Sequence, residues 1–217
     1  MTHRSRTQRL ALLSASTALV TGGLLPSATA SAAPAHAAAV AAAATAAPAP
    51  TPTPTPTSTS SQPAPAAVKT TDPPSGITAQ LPGKAKVRMG AIPMESGSVD
   101  TRVYGVETPD GATGFAVYDM PGDQIPLEDA LKGFVDAYGL TGGGTLTTEN
   151  VRKTTVDGRP ALDADLTGEG PDGAAVGSIR FISDDDHLVM ALTYGPEAKE
   201  KDLDATHQQL LNSLQIP

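Results

Sequence analysis

From Ser31 to Pro74 the chain is almost entirely Ala, Pro, Thr and Ser, 38 of 44 residues, and no packed fold can be built from such a stretch. It offers almost no large apolar side chains to offset the entropy of ordering the backbone. Half of the 20 prolines lie in it, whereas all seven Phe and Tyr residues lie beyond position 100. The sequence therefore predicts three parts: a signal segment over residues 1–30, a disordered linker over 31–75, and one folded domain over 76–217. A domain of about 140 residues can bury close to 70 % of its unfolded surface, enough for a real core.

The first 30 residues have the layout of an export signal. Arg4, Arg6 and Arg9 precede an apolar stretch from Leu10 to Leu25, and Ala28-Thr29-Ala30 supplies small residues for cleavage. A membrane span needs about 20 apolar residues. This stretch is shorter and is diluted by Ser14, Ser16, Thr17, Thr21, Gly22 and Gly23. Arg4-Ser5-Arg6 lacks the adjacent arginines of twin-arginine export, and a later cut after Ala35-His36-Ala37 stays open. The expected destination is secreted or cell-envelope. In the linker, Pro alternates with Ala or Thr over Pro48–Thr57, which favours extended polyproline II. At about 3.1 Å per residue, Pro48–Pro65 would span on the order of 55 Å. Two readings of it stand side by side: a stalk glycosylated on Thr51, Thr53, Thr55 and Thr57, or an unmodified spacer.

Charge and cysteine content exclude several classes. Of 15 Lys and Arg, three lie in the signal segment, leaving 12 against 23 acids, a net −11. Nucleic acid is recognised chiefly by neutralising phosphates, so it is not an expected partner. With no cysteine there is no disulfide scaffold, thiolate metal site, cysteine nucleophile or cysteine-linked lipid anchor.

Beyond Gly76 the hydrophobic pattern has period two, broken by turn residues. Ile77, Ala79 and Leu81 alternate and stop at Pro82-Gly83; Val87 and Met89 mark a second strand, followed by Val99–Val106 and Gly114–Tyr118. The period then changes. Leu127, Leu131, Phe134 and Tyr138 share one helical face, with Pro126 suited to the first turn, Glu128 and Asp129 at its positive end, and Gly139 as a left-handed stop. Strands follow at Asn150–Val156, Ala161–Thr167, Ala174–Ile182 and His187–Tyr194, the first two joined by the Asp157-Gly158-Arg159-Pro160 turn. A closing helix from near Glu197 presents Leu203, His207, Leu210, Leu211 and Leu214 on one face. Strands joined by short turns predict an α+β domain with an antiparallel sheet flanked by helices.

Several of these segments together resemble a known family. They are Leu81-Pro82-Gly83, the helix Pro126 to Tyr138, Val156-Asp157-Gly158-Arg159-Pro160-Ala161, Arg180-Phe181, Leu188–Leu192 and Leu210-Leu211-Asn212-Ser213-Leu214. This layout, over Gly76 to Pro217, resembles the PsbP-like fold, including its secreted actinobacterial members and related bacterial proteins of unknown function. The resemblance implies an α/β/α sandwich used for binding partners rather than for catalysis. The matching residues are structural, so it carries over no functional residue.

Candidate chemistry is sparse. Asp184-Asp185-Asp186-His187 has ligands that suit a hard cation, yet consecutive residues point apart and aspartate is a common turn residue. Asp163-Ala164-Asp165-Leu166-Thr167-Gly168 begins like a calcium loop, but position 12 is Ala174 in place of the bidentate glutamate. Alternation explains it better, with Leu162, Ala164 and Leu166 inward and Asp163 and Asp165 in water. Gly142-Gly143-Gly144 follows a helix and lacks the lysine of a phosphate loop. His187 and His207 are the candidate bases of a hydrolytic triad, with no nucleophile-elbow sequence to go with them. The sequence therefore assigns no catalytic, cofactor or metal residue. It predicts an exported, monomeric, non-enzymatic domain whose partner is an extracytoplasmic protein or a small apolar ligand. The alternatives are a cell-envelope hydrolase, which needs a His within reach of a Ser and an Asp, and a domain tethered to the membrane by an uncleaved signal.

Overall fold

The structure, a computed structural model, describes residues 66–94, 97–120, 125–140, 144–170 and 173–217. The signal segment, the proline-rich stretch up to Pro65 and Gly142-Gly143 lie outside the described residues.

Among the described residues, nine strands and two α-helices follow one another in the order the hydrophobic pattern predicts, with one strand added at the front. That strand is β1 (Val68–Thr71), which pairs antiparallel with β2 (Thr78–Leu81). Folded structure thus begins inside the stretch read as linker, and the boundary at residue 76 is corrected accordingly. Then come β3 (Lys86–Met94), β4 (Gly97–Thr108), β5 (Gly111–Asp119), α1 (Leu127–Leu140), β6 (Thr145–Val156), β7 (Arg159–Gly170), β8 (Gly173–Ser183) and β9 (His187–Pro196). A short 3-10 turn over Glu197–Lys199 leads into α2 (Glu200–Ser213). β3 to β9 form one seven-stranded antiparallel sheet in the order β3-β4-β5-β9-β8-β7-β6. Two meanders, β3–β5 and β6–β9, are joined where β9 pairs with β5.

Alternation on β5 and β9 sends side chains to both faces, so these central strands are buried on both sides. Ala116 and Tyr118 of β5 join Leu188, Met190, Leu192 and Tyr194 of β9 under α1, which contributes Ala130, Leu131, Phe134 and Tyr138. Phe115 and Val117, with Val189 and Ala191, face the other way, against Leu210 of α2 and Ile77, Ala79 and Leu81 of the β1–β2 hairpin. The ring of Tyr104 stacks on Phe115 with centroids 4.8 Å apart. The result is an α/β/α sandwich: α1 on one face, α2 and the hairpin on the other.

Local chemistry explains the turns. Asp157 and Gly158 both have positive φ, 49° and 82°, and link Val156 to Arg159 in a two-residue hairpin. This is the type I′ geometry that Asp-Gly favours. At α1 the Pro126 carbonyl accepts from the amides of Asp129 and Ala130, so Pro126 sits just outside the first turn instead of within it. Gly139 is helical rather than a left-handed stop; the positive φ falls on Gly144, at 91°.

Candidate functional site

Three polar constructions stand out. The first lies at one end of the sheet. The Arg102 guanidinium donates from Nε to Asp72 Oδ1 at 2.6 Å and from Nη2 to Asp72 Oδ2 at 3.1 Å. It also grips Asp119 with two bonds of 2.6 Å. Tyr104 donates to Asp72 Oδ1 at 2.7 Å and Ser75 to Oδ2 at 2.5 Å. Asp72 is completely buried. Burial alone pushes its carboxyl up, but the bonds from Arg102, Ser75 and Tyr104 together hold it below the usual carboxylate range. Burial and the same carboxylate push the Tyr104 phenol up. Alongside, His187 lies 3.7 Å from Asp119 and 3.8 Å from Asp184, and Arg159 donates to Asp184 at 2.9 Å.

Asp184 turns inward to Arg159, while Asp185 and Asp186 are exposed. Among the described residues no three His, Asp or Glu side chains converge closely enough to hold a metal. Asp163 and Asp165 lie on strand β7, not in a loop. Asp165 is exposed as expected, but Asp163 is not a water-facing residue. Arg180 takes it in a fork of 2.5 and 2.8 Å, and Arg152 adds a bond of 3.0 Å.

The second construction is a buried trio beneath α2. His207, 4 % exposed, meets the Thr193 hydroxyl through Nδ1 at 3.3 Å, and Thr193 meets Thr113 at 2.9 Å. Burial, with a smaller contribution from Arg180, lowers the His207 pKa to about 4, against the opposing pull of Asp163 and Asp165. The imidazole is therefore neutral at pH 7. Among the described residues neither His187 nor His207 has both a serine hydroxyl and a carboxylate as partners, so the geometry of a hydrolytic triad is not assembled around either.

The third is a groove of about 570 Å³ between α2 and the β1–β2 hairpin. One wall is a helical stripe, Ala205, Gln208, Gln209 and Asn212, at spacings of three, one and three. Thr78, Gln80 and Lys69 line the opposite side. The chain beyond α2 closes one end, where Gln215 and Thr78 exchange backbone hydrogen bonds of 2.8 and 3.0 Å. Ser213 is engaged with Gln80 N, but the carboxamides of Gln80, Gln208, Gln209 and Asn212 have no partner among the described residues.

The fold places the domain in a structural class: an antiparallel sheet between a helix and a helix-plus-hairpin layer, the PsbP-like sandwich. Among solved structures, the chain is similar to cyanobacterial PsbP (CyanoP) from Synechocystis sp. PCC 6803, with a TM-score of 0.53. Identity is 12%, and the match covers 70% of this chain and 94% of that one. A protein of unknown function, PA94 from Pseudomonas aeruginosa, aligns with a TM-score of 0.40 at 10% identity over 60% of this chain and 97% of that one. No family model matches the sequence, and no curated protein does. Identity this low makes the likeness one of fold alone.

Sequence reasoning did not find Asp72, Arg102, Asp119 or the groove amides. The available signal for the groove was a charge gap: from Ala205 to Pro217 the chain has no acid and no Lys or Arg, in a protein that is 18% charged.

Proposed function

We propose that this is an exported, non-enzymatic binding domain that takes its partner in the groove between α2 and the β1–β2 hairpin. The observation that carries the proposal is the set of unpartnered carboxamides lining that groove. Four such groups presented together supply convergent donors and acceptors at no internal hydrogen-bonding cost, which is what a recognition surface requires. The groove volume falls in the range of ligand sites, roughly 300–1,000 Å³. Its polar wall suits a polar partner better than the small apolar ligand that the sequence allows. Export rests on the N-terminal pattern of residues 1–30. Among the described residues no helix is long and apolar enough to cross a membrane.

The test is native mass spectrometry of the full chain recovered from the medium of cells producing it, alongside Ala205→Trp. Ala205 is exposed, so the indole fills the groove without disturbing the core. The expected result is a protein mass matching residues 31–217 and a non-covalent adduct or partner that Ala205→Trp loses. Equal retention of the adduct by both proteins overturns the groove as the site. Protein found only in membranes overturns the secreted reading.

A further inference from the structure

Resting on that reading, we infer that the groove recognises the main chain of an extended polypeptide segment with uncharged side chains. Three observations lead there. Gln208 and Asn212 stand four residues apart on one helical face, a rise of about 6.0 Å. An extended peptide presents equivalent backbone groups every second residue, about 6.6–6.8 Å. The carboxamide carries one acceptor and two donors, so it can match a peptide N–H and C=O together. Since Ala205, Gln208, Gln209 and Asn212 line the groove, it follows two turns of α2, with Gln80 on the hairpin side.

Charge supports the same occupant. The chain is net −8, yet among the described residues that line the groove Lys69 alone is charged. A strongly cationic ligand finds no carboxylate there, and a polyanion finds a single ammonium. A glycan would use the same hydrogen-bonding groups, but among the described residues none that lines the groove is aromatic to stack on a sugar face. A main-chain reader of this kind is tolerant of sequence, as in strand-addition recognition, and specificity comes from what else the segment touches.

The experiment uses the ¹⁵N-labelled full chain and follows side-chain NH₂ signals by two-dimensional NMR. The probe is a pool of acetylated, amidated random hexapeptides lacking Lys, Arg, Asp and Glu, added to millimolar concentration. Shifts at Gln80, Gln208, Gln209 and Asn212 are expected, and the same pool N-methylated at alternate residues should leave them in place. Replacing both Gln208 and Asn212 with Ala should weaken the response at least about fivefold, the scale of one or two lost hydrogen bonds. Both sites are exposed, so the fold should survive. Equal binding of the methylated pool overturns main-chain recognition. Silence toward peptides with shifts from chitohexaose or maltohexaose overturns the peptide and leaves the groove as a binding site. Silence toward all of them, with an adduct that Ala205→Trp still retains, overturns both.

Discussion

Arg102 reaches from the middle of strand β4 to hold Asp72, a residue of the turn between β1 and β2, in a buried two-pronged ion pair. The same guanidinium holds Asp119 at the end of β5, so one side chain ties the N-terminal hairpin to the main sheet. Removing one member of a buried pair leaves the other uncompensated, which typically costs 3–5 kcal/mol.

Asp72→Asn should therefore destabilise the domain by about 3 kcal/mol, the lower end because Arg102 keeps Asp119. Urea unfolding of the variant against the parent measures it. A cost under about 1 kcal/mol would show that the fork contributes geometry without stability. A chain started at Gly76 lacks β1 and Asp72 together and should be less stable still.

The buried His207 gives the domain a pH dependence with a defined window. Its folded pKa of about 4 lies below the unfolded value near 6.5, so the unfolded chain binds more protons between the two. The contribution of the neutral imidazole is fully present above pH 6.5. It declines as pH falls and is gone below about pH 4, amounting to roughly 3 kcal/mol. In His207→Leu the slope of stability against pH between 6.5 and 4 should flatten. Asp72, Asp163 and Asp184, all held below the usual carboxylate range, lose their contribution only at lower pH. Unfolding midpoints across pH 3–8 separate the two windows, and an unchanged slope in the variant would refute the assignment.

Two glycines should respond differently to alanine. At Gly114 an added Cβ would run into the Tyr104 carbonyl and lie 2.9 Å from Gly105 Cα, both backbone atoms that cannot turn aside. Gly114→Ala should cost on the order of 1–3 kcal/mol or more. At Gly158 the space is open, and the penalty is the positive φ of 82°, worth about 1–2 kcal/mol for a residue with a Cβ. Thermal melts of both variants rank them, and a larger loss at Gly158 would contradict the packing.

On the edge strand β3, Val87 and Met89 are 49% and 76% exposed. Met89→Lys should change stability by no more than about 0.5 kcal/mol. A larger loss would mean that this face is covered in the folded chain.

The sequence made the strands and helix faces legible because burial imposes a period, and the period survives in each segment separately. Leu131, Phe134 and Tyr138, like Leu203, His207 and Leu210, are buried on the faces their spacing indicates. β1 left no such mark: it has one apolar residue, Val68, stays largely exposed, and sits against a stretch of similar composition. The Arg102 fork was illegible for another reason. Its three members come from a turn and two strands, and pairing between distant segments depends on strand order, which local spacing does not encode. Asp163 shows the same limit, since alternation placed it on the correct face but could not say that Arg180 and Arg152 would close over it. The groove amides were visible as letters and unreadable as a site until α2 met the hairpin.

Strand order also sets a timetable. β5 is complete at Asp119, but its outer edge pairs with β9, whose first residue in that ladder is His187. During synthesis the first meander must wait with an open edge while α1 and three further strands are made. β2 waits longer, because Thr78 is closed off by Gln215, which follows α2. Native closure of the sheet and hairpin is thus held back until β9, α2 and Gln215 have all been made, so the domain cannot lock piece by piece from its first strands.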